Sequence, residues 1–251
     1  MKDKEFYTVK CTVNTVSEQH LVIRDWLSTE VRGKTITFLN PHVFNHAIKD
    51  QIVKKVLNES DIVAMDGIGI NLAFLVRDHI HYSRTIMTYL FEKVLFDVRL
   101  PRIKAVLIGA SQNEVSKATD YINRNSPGIY IEHCFHGFHD LDYYLGEISR
   151  MKGVRMILVG MSTPRSEHLI HRLSEENTDV IIWHIGAGTI KCFANTKQRS
   201  PVWLSRIGLE WIHRSFFEPN LIWRYLFGIP CFLYNIAKIQ RQTRKKKRTA
   251  T

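Results

Sequence analysis

DIVAMDGIGI, residues Asp61 to Ile70, is a short apolar run that ends on an acid and continues into two glycines. The apolar residues 62–64 predict a buried strand, and Gly67 and Gly69 give the backbone the freedom to leave that strand in a tight turn. Asp66 then stands at the carboxyl end of the strand, where open α/β sheets bind their ligands. A turn or helix N-cap residue explains an aspartate here equally well, so position alone leaves both interpretations open.

Apolar runs on both sides of this stretch repeat the order of strand, turn and helix. The further predicted strands are 34–39 (KTITFL), 104–109 (KAVLIG), 129–132, 155–160 (RMILVG) and 180–185 (VIIWHI), with one or two more in residues 1–25. Helical spacing predicts helices at 43–57, 70–76, 89–95, 113–123, 141–151 and from about 164 through 173. Strands that alternate with helices predict an α/β domain with a largely parallel sheet.

Gly109 ends the predicted strand KAVLIG and precedes Ala110, Ser111 and a helix. A strand, a glycine and a helix N-terminus in this order can offer free N–H groups to a phosphate. The segment lacks the full dinucleotide-binding fingerprint, and a plain tight turn explains Gly109 about as well.

The composition, with 45% apolar and 24% charged residues in 251, is that of a globular protein. The four cysteines lie far apart and show no metal-ligand spacing, so we expect no metal site, no disulfide framework and a reducing, cytosolic setting. The formal charge of +11 is concentrated near the end of the chain, in Lys238, Arg241, Arg244, Lys245, Lys246, Lys247 and Arg248. Such a segment binds RNA, DNA or an anionic bilayer, or only keeps a chain soluble.

The run YLFGIPCFLYNIA, Tyr225 to Ala237, is apolar and is interrupted by Gly228 and Pro230. A bilayer span needs roughly twenty residues, so this run is too short for one. Its flanking Trp223, its own Tyr234 and the basic residues that follow predict a segment that lies on an anionic membrane surface. The alternative is a core helix followed by a solvated tail. The chain then divides into a catalytic domain (1–200), a C-terminal appendage (201–237) and a polybasic tail (238–251).

The order of motifs resembles that of the WecG/TagA/CpsF family of bacterial glycosyltransferases, from about Thr35 to Tyr225. The matching pieces are TFLNP (37–41), MDGIGI (65–70), Arg84, VLIGAS (106–111), VGMSTPRSE (159–167), RSPVW (199–203), GLEWIHR (208–214), and the pairs EP (218–219) and RY (224–225). GLEWIHR and the R-x-P before it are the most specific, because no generic structural reason makes them recur.

The resemblance implies a Rossmann-like fold with helices on both faces of the sheet and a helical C-terminal appendage that docks on the membrane and completes the site. It also implies an inverting transfer, without metal or cofactor, from a UDP-sugar to a lipid-linked saccharide at the cytoplasmic membrane face, in exopolysaccharide, capsule or cell-wall polymer synthesis. Such a transfer needs a carboxylate that accepts the proton of the acceptor hydroxyl. The leaving diphosphate needs positive charge, which arginines supply where no metal does.

Carried over to this sequence, the resemblance makes Asp66 the candidate general base. The residues expected to bind substrate are Thr37, Asn40, Gly67, Arg84, Gly109, Arg214 and Arg224. Arg199 and Glu210 are expected to have structural roles behind the site, or to form only surface salt bridges. The residues expected at the membrane are Trp223, Tyr234, Lys238, Lys245, Lys246, Lys247 and Arg248.

The sequence also departs from the family pattern. Phe38, Met87, Tyr89, Ser166 and Lys191 stand where the family has Thr, Gly, Asp, Gln and Asp. These differences raise the alternative of a catalytically silent relative that binds a nucleotide-sugar or a partner transferase. A nucleic-acid partner is not expected, because the basic tail has no aromatic and basic recognition module beside it. Self-association into a homo-oligomer is left open.

Overall fold

The structure, a computed structural model, describes residues 1–29, 31–176, 179–196 and 220–249; in the last range it describes the side chains of 226–243 and 245.

Eight strands of the described residues form one sheet. They are β1 (Asp3–Phe6), β2 (Val9–Thr12), β3 (Thr35–Leu39), β4 (Ile62–Met65), β5 (Ile103–Gly109), β6 (Ile129–Phe135), β7 (Met156–Gly160) and β8 (Ile181–His184). Their order is β1-β2-β4-β3-β8-β7-β5-β6, and all neighbours are parallel except β1 and β2. The predicted α/β fold with a largely parallel sheet is confirmed.

Helices cover both faces of this sheet. They are α1 (Val16–Ser28), α2 (Pro41–Ala47), α3 (Gln51–Glu59), α4 (Ile68–Asp78), α5 (Met87–Leu95), α6 (Gln112–Asn125), α7 (Leu141–Ser149), α8 (Arg165–Glu175), α9 (Ala187–Phe193) and α10 (Asn220–Thr249). On β5, Val106 and Ile108 pack in a core with α3, α7 and α8, whereas Ala105 and Leu107 pack in a core with α5, α6 and α9. Alternate residues of a strand point to opposite faces, so these are the two faces of the sheet.

Two predicted elements differ from the structure. The helix predicted over 43–57 is divided into α2 and α3, because Asp50 caps a new helix by accepting hydrogen bonds from the amides of Ile52 and Val53. Residues near Leu21, predicted as part of a strand, belong to α1. Thr15 and Glu18 form a capping box that starts α1, and this local signal outweighs the loose alternation of apolar residues.

The connections from β3 and β8 leave the sheet on opposite faces. The segment after β3 leads to α2 and α3, and α3 packs against α8. The segment after β8 leads to α9, which packs against α5 and α6. Adjacent strands whose connections diverge open a crevice at the carboxyl edge of the sheet, which is where α/β proteins bind ligands. The crevice between β3 and β8 lies one strand away from β4.

The C-terminal helix α10 packs along α2. Asn45 of α2 donates to the carbonyl of Gly228 over 2.8 Å, and Asn235 donates to Oδ1 of Asn45 over 3.0 Å. Between them Phe232 is buried, with its ring 5.5 Å from that of Phe44. α10 is one helix across positions 237 and 238, between which the sequence suggested a boundary. Among the described residues, no helix combines the length and the hydropathy that crossing a membrane requires.

Candidate active site

Asp66 follows β4 at the carboxyl edge of the sheet, and its neighbours fix its position. Its N–H donates to the carbonyl of Leu39 over 2.9 Å, and Thr85 forms a parallel bridge beside it. The amide of Met87, at the start of α5, donates to Oδ1 of Asp66 over 3.3 Å. The residue is half-buried. A carboxylate is therefore held at the end of a strand by two neighbouring segments of the chain.

Asn40 lies beside Asp66, because the residues that precede them, Leu39 and Met65, are paired in parallel register. Neighbouring strands are about 4.8 Å apart, so the two polar residues are adjacent at the edge. Oδ1 of Asn40 also accepts a hydrogen bond from the amide of Val43 over 3.0 Å and so caps α2. Asn40 thus has a structural task as well as a place at the site.

Gly67 turns the chain from β4 into α4. Its φ of +81° lies in the region that favours glycine, and it is the N-cap of α4, which receives no side-chain hydrogen bond. Gly69 lies inside α4 rather than in the turn, and a Cβ there would meet Cγ of Pro41 at 2.6 Å. The first turn of α4 therefore begins directly after the Asp66 carboxylate.

Arg84 lies immediately before Thr85 and is half-buried. Thr85 forms a β-bridge with Asp66, so the backbone of Arg84 adjoins the segment that pairs with Asp66. The structure thereby brings Asp66, Asn40, Gly67 and Arg84 to one end of β3 and β4, and their roles in binding or catalysis stay predictions.

Thr37 is fully buried beneath this edge, in a polar cluster that the sequence did not reveal. Its Oγ1 lies 3.5 Å from Nδ1 of His184, and Oε1 of Glu167 lies 3.6 Å from the same nitrogen. Thr163 donates its hydroxyl to Oε1 of Glu167 over 2.9 Å. Burial lowers the pKa of His184 below its ordinary value, and the Glu167 carboxylate opposes this shift. In the sequence, the available signal for this cluster was a histidine inside the apolar run VIIWHI.

Gly109 has a packing role. Its φ is +145°, and a Cβ at this position would lie 2.1 Å from the carbonyl oxygen of Gly160. The ends of β5 and β7 thus approach too closely for any side chain at Gly109. Gly109 does not line the neighbouring cavity, but Ala110 and Ser111, which follow it, do.

That cavity, of about 310 Å³, opens beyond the ends of β5 and β7. It is lined in part by Arg165, Lys191, Glu114 and Phe138, and the ring of Phe138 is exposed. Nζ of Lys191 lies 3.9 Å from Oε1 of Glu114. Two cations and an exposed aromatic ring suit an anionic ligand that carries a ring, such as a nucleotide.

The positions that depart from the family pattern have different surroundings. Lys191 lines the cavity, Tyr89 is exposed, and Ser166 is fully buried in α8. Phe38 packs against the imidazole of His184, with ring centroids 4.5 Å apart. Met87 is buried and accepts a hydrogen bond from Nε1 of Trp183 at its sulfur, while its amide contacts Asp66.

Several predicted residues cannot be placed. Arg199, Glu210 and Arg214 lie outside the described residues. The side chains of Trp223, Arg224, Lys246, Lys247 and Arg248, in α10, also lie outside the described residues. Tyr234, Lys238 and Lys245 are exposed on this helix. Across the described ranges, no group of three or more His, Cys, Asp or Glu side chains is arranged to hold a metal ion.

The model of the glycosyl transferase WecG/TagA/CpsF family matches residues 5–247. The chain belongs to this family. Relatives from Staphylococcus aureus strains NCTC 8325, COL and MRSA252 are each 28% identical over 218 residues, which is 84% of this chain and 83% of theirs. Each is named N-acetylglucosaminyldiphosphoundecaprenol N-acetyl-beta-D-mannosaminyltransferase. The resemblance drawn from the motifs is confirmed, and this member of the WecG/TagA/CpsF family is a glycosyltransferase.

Proposed function

We propose that this WecG/TagA/CpsF glycosyltransferase moves an N-acetylhexosaminyl group from a UDP-sugar to a saccharide linked through a diphosphate to a polyprenol, in the synthesis of a surface polymer. The reaction inverts the anomeric carbon, uses no metal and takes place on the inner membrane face. The observation that carries the proposal is the Asp66 carboxylate, held beside Asn40 and the start of α4 at the carboxyl edge of the sheet. The relatives support the acceptor class, because their name specifies N-acetylglucosaminyldiphosphoundecaprenol.

In this reaction the hydroxyl oxygen of the acceptor attacks the anomeric carbon of the donor, and Asp66 accepts the proton of that hydroxyl. The bond from that carbon to the β-phosphate oxygen breaks, and its electron pair leaves with UDP. The amide of Met87 fixes one carboxylate oxygen, which orients the base before the acceptor arrives. Arg84, Arg214 and Arg224 carry the positive charge that stabilises the departing diphosphate.

The cavity near Lys191 suits the nucleotide part of the donor. β7 is three strands away from β4 in the sheet, so the cavity and Asp66 are separated by about 14 Å at a spacing of about 4.8 Å per strand. A donor with its base near Phe138 and its sugar near Asp66 would cross the crevice between β3 and β8. Lys191 and Arg165 would then face its phosphates or ribose.

The test is an Asp66→Asn variant assayed for sugar transfer and for stabilisation by UDP. We expect turnover to fall by at least about 10²-fold, the effect of losing a general base. UDP should still stabilise the variant, because a ligand that binds the folded state raises the midpoint of thermal unfolding whether or not the general base is present. Asp120→Asn, an exposed carboxylate on α6, is the matched control.

Full turnover by Asp66→Asn would remove Asp66 from the role of base. Turnover of any donor by the wild-type protein would exclude the silent relative.

A further inference from the structure

The helix α4 exposes apolar residues on the face that a surface helix normally makes polar. Its Ile70, Asn71 and Phe74 are buried. On the outward side Leu72 is 50% and Val76 is 75% exposed. Surface helices usually carry charged or polar residues there, and a cluster of exposed apolar side chains marks an interaction surface.

The first half of α10 has the same property. Phe232 and Asn235 face the body of the protein, whereas Phe227, Leu233 and Tyr234 are each more than half exposed. Apolar residues thus line the outer face of a second helix.

The two helices flank the turn between β1 and β2. The ring of Phe6, the last residue of β1 before this turn, lies 4.9 Å from Phe74 of α4 and 6.3 Å from Phe232 of α10. Tyr7 accepts a hydrogen bond from Gln240 of α10 over 2.8 Å, and the Arg77 guanidinium of α4 lies 5.1 Å from the centre of its ring. The inner faces of both helices therefore converge on one hairpin, which brings the two helices together at one part of the surface.

The charges of these helices are almost all positive. Asp78 is the single acidic residue in α4 and α10 together, and it pairs with Arg77 over 2.6 Å. Lys238, Arg241 and Lys245 are exposed on the second half of α10. Two copies joined through this surface would bring like charges together, whereas an anionic bilayer matches both the apolar residues and the cations.

We propose that the outer faces of α4 and α10 form one surface that inserts shallowly into an anionic bilayer, with α4 as a second membrane contact beside the C-terminal helix. This inference rests on the proposed function and adds α4 to the surface. α4 starts two residues after Asp66, and Val76 lies about 12 Å along the helix from Ile68 at 1.5 Å per residue. Contact through α4 places the base close to the headgroups, where the diphosphate of a lipid-linked acceptor lies.

The experiment compares full-length variants in sedimentation with vesicles of 30% phosphatidylglycerol in phosphatidylcholine. Leu72→Glu with Val76→Glu should lower vesicle affinity at least tenfold. Leu21→Glu with Val98→Glu adds the same charge at exposed apolar positions on α1 and after α5, and it should stay within twofold of wild type. Leu72→Ser with Val76→Thr should give an intermediate loss of vesicle affinity. This variant replaces the acidic pair in the test if the acidic pair does not fold.

Wild-type affinity in both α4 variants would overturn the proposal, and so would an equal loss in the control pair. A change from dimer to monomer in sedimentation velocity with unchanged vesicle binding would assign the α4 face to a second copy and also overturn it. Stabilisation by UDP is measured on the same proteins. Its absence in wild type would count against the proposed function, independently of the vesicle result.

Discussion

At the residue scale, Asn40 combines two tasks at the edge of the sheet. Its side-chain oxygen caps α2, and its position places it next to Asp66. A substitution that removes both the cap of α2 and the polar group next to Asp66 cannot show which of the two matters for turnover. Serine and aspartate are also strong N-cap residues, so they can preserve the cap while changing the group that faces the site.

We predict that Asn40→Ala lowers the free energy of unfolding by about 1 kcal/mol, the usual effect of losing an N-cap. Asn40→Ser should retain most of that stability, as measured by urea unfolding. If Asn40 contacts substrate, both variants should lose turnover by a similar factor. Wild-type turnover in Asn40→Ser would limit Asn40 to the cap.

At the element scale, the ends of β5 and β7 approach each other so closely that only glycine fits at position 109. The Cβ that any other residue would place at Gly109 falls on the carbonyl of Gly160, and the backbone there has a positive φ. Neither strand can retreat without disturbing its own neighbours, because β7 also pairs with β8. The position of the cavity rim is therefore fixed by the sheet.

Gly109→Ala should destabilise the protein by more than about 3 kcal/mol, since overpacking alone costs about 1–3 kcal/mol and backbone strain adds to it. Gly146→Ala is the matched control, because Gly146 lies within α7 and a Cβ there meets nothing within 4 Å. That change should stabilise the helix by roughly 0.5–1 kcal/mol. Thermal unfolding of both variants measures the contrast, and a stable Gly109→Ala would refute the close approach.

The central strands were predictable element by element. Strands buried on both faces are continuous apolar runs, which is why KTITFL and RMILVG matched β3 and β7 closely. The cluster of Thr37, His184 and Glu167 was not predictable in the same way. It depends on β3 lying next to β8, and the two strands are joined by more than 140 residues of chain. Periodicity identifies a strand but does not say which strand becomes its neighbour.

The candidate site was predicted best where its residues adjoin a strand end. Asp66 and Asn40 each follow an apolar run, and parallel strands bring such positions to one edge. Gly109 was proposed as a phosphate-binding residue, and that role remains a prediction beside its packing role. The split of 43–57 into two helices was missed because the apolar spacing continues across Asp50.

At the scale of the whole molecule, one buried carboxylate connects α1 to the loop after α5. Asp97 is only 7% exposed and lies 3.0 Å from Nε2 of His20. Nε of Arg99 donates to it over 2.9 Å, and hydrogen bonding to Arg99 lowers the pKa of Asp97 to about 2. Because the folded value is below the unfolded value of about 3.9, the ionised form stabilises the fold above pH 4, and this contribution is lost as the pH falls toward 2.

We predict that Asp97→Asn lowers the free energy of unfolding by about 2 kcal/mol at pH 7. The difference from wild type should shrink between pH 4 and pH 2 in urea unfolding. Asp25→Asn changes an exposed carboxylate on α1 and should follow the wild-type pH profile. A difference that stays constant down to pH 2 would mean that Asp97 acts through packing rather than through its charge.

The packing of α10 on α2 has a mechanical consequence for the enzyme. α2 is only seven residues long, and Asn40 at its first end adjoins Asp66, while Phe44 and Asn45 near its other end hold α10. α2, a helix of about 10 Å, therefore joins the helix that we propose contacts the membrane to the proposed general base. A tilt of α10 on a membrane would therefore shift α2 and, through Asn40, the surroundings of Asp66, which links membrane contact to the geometry of the site.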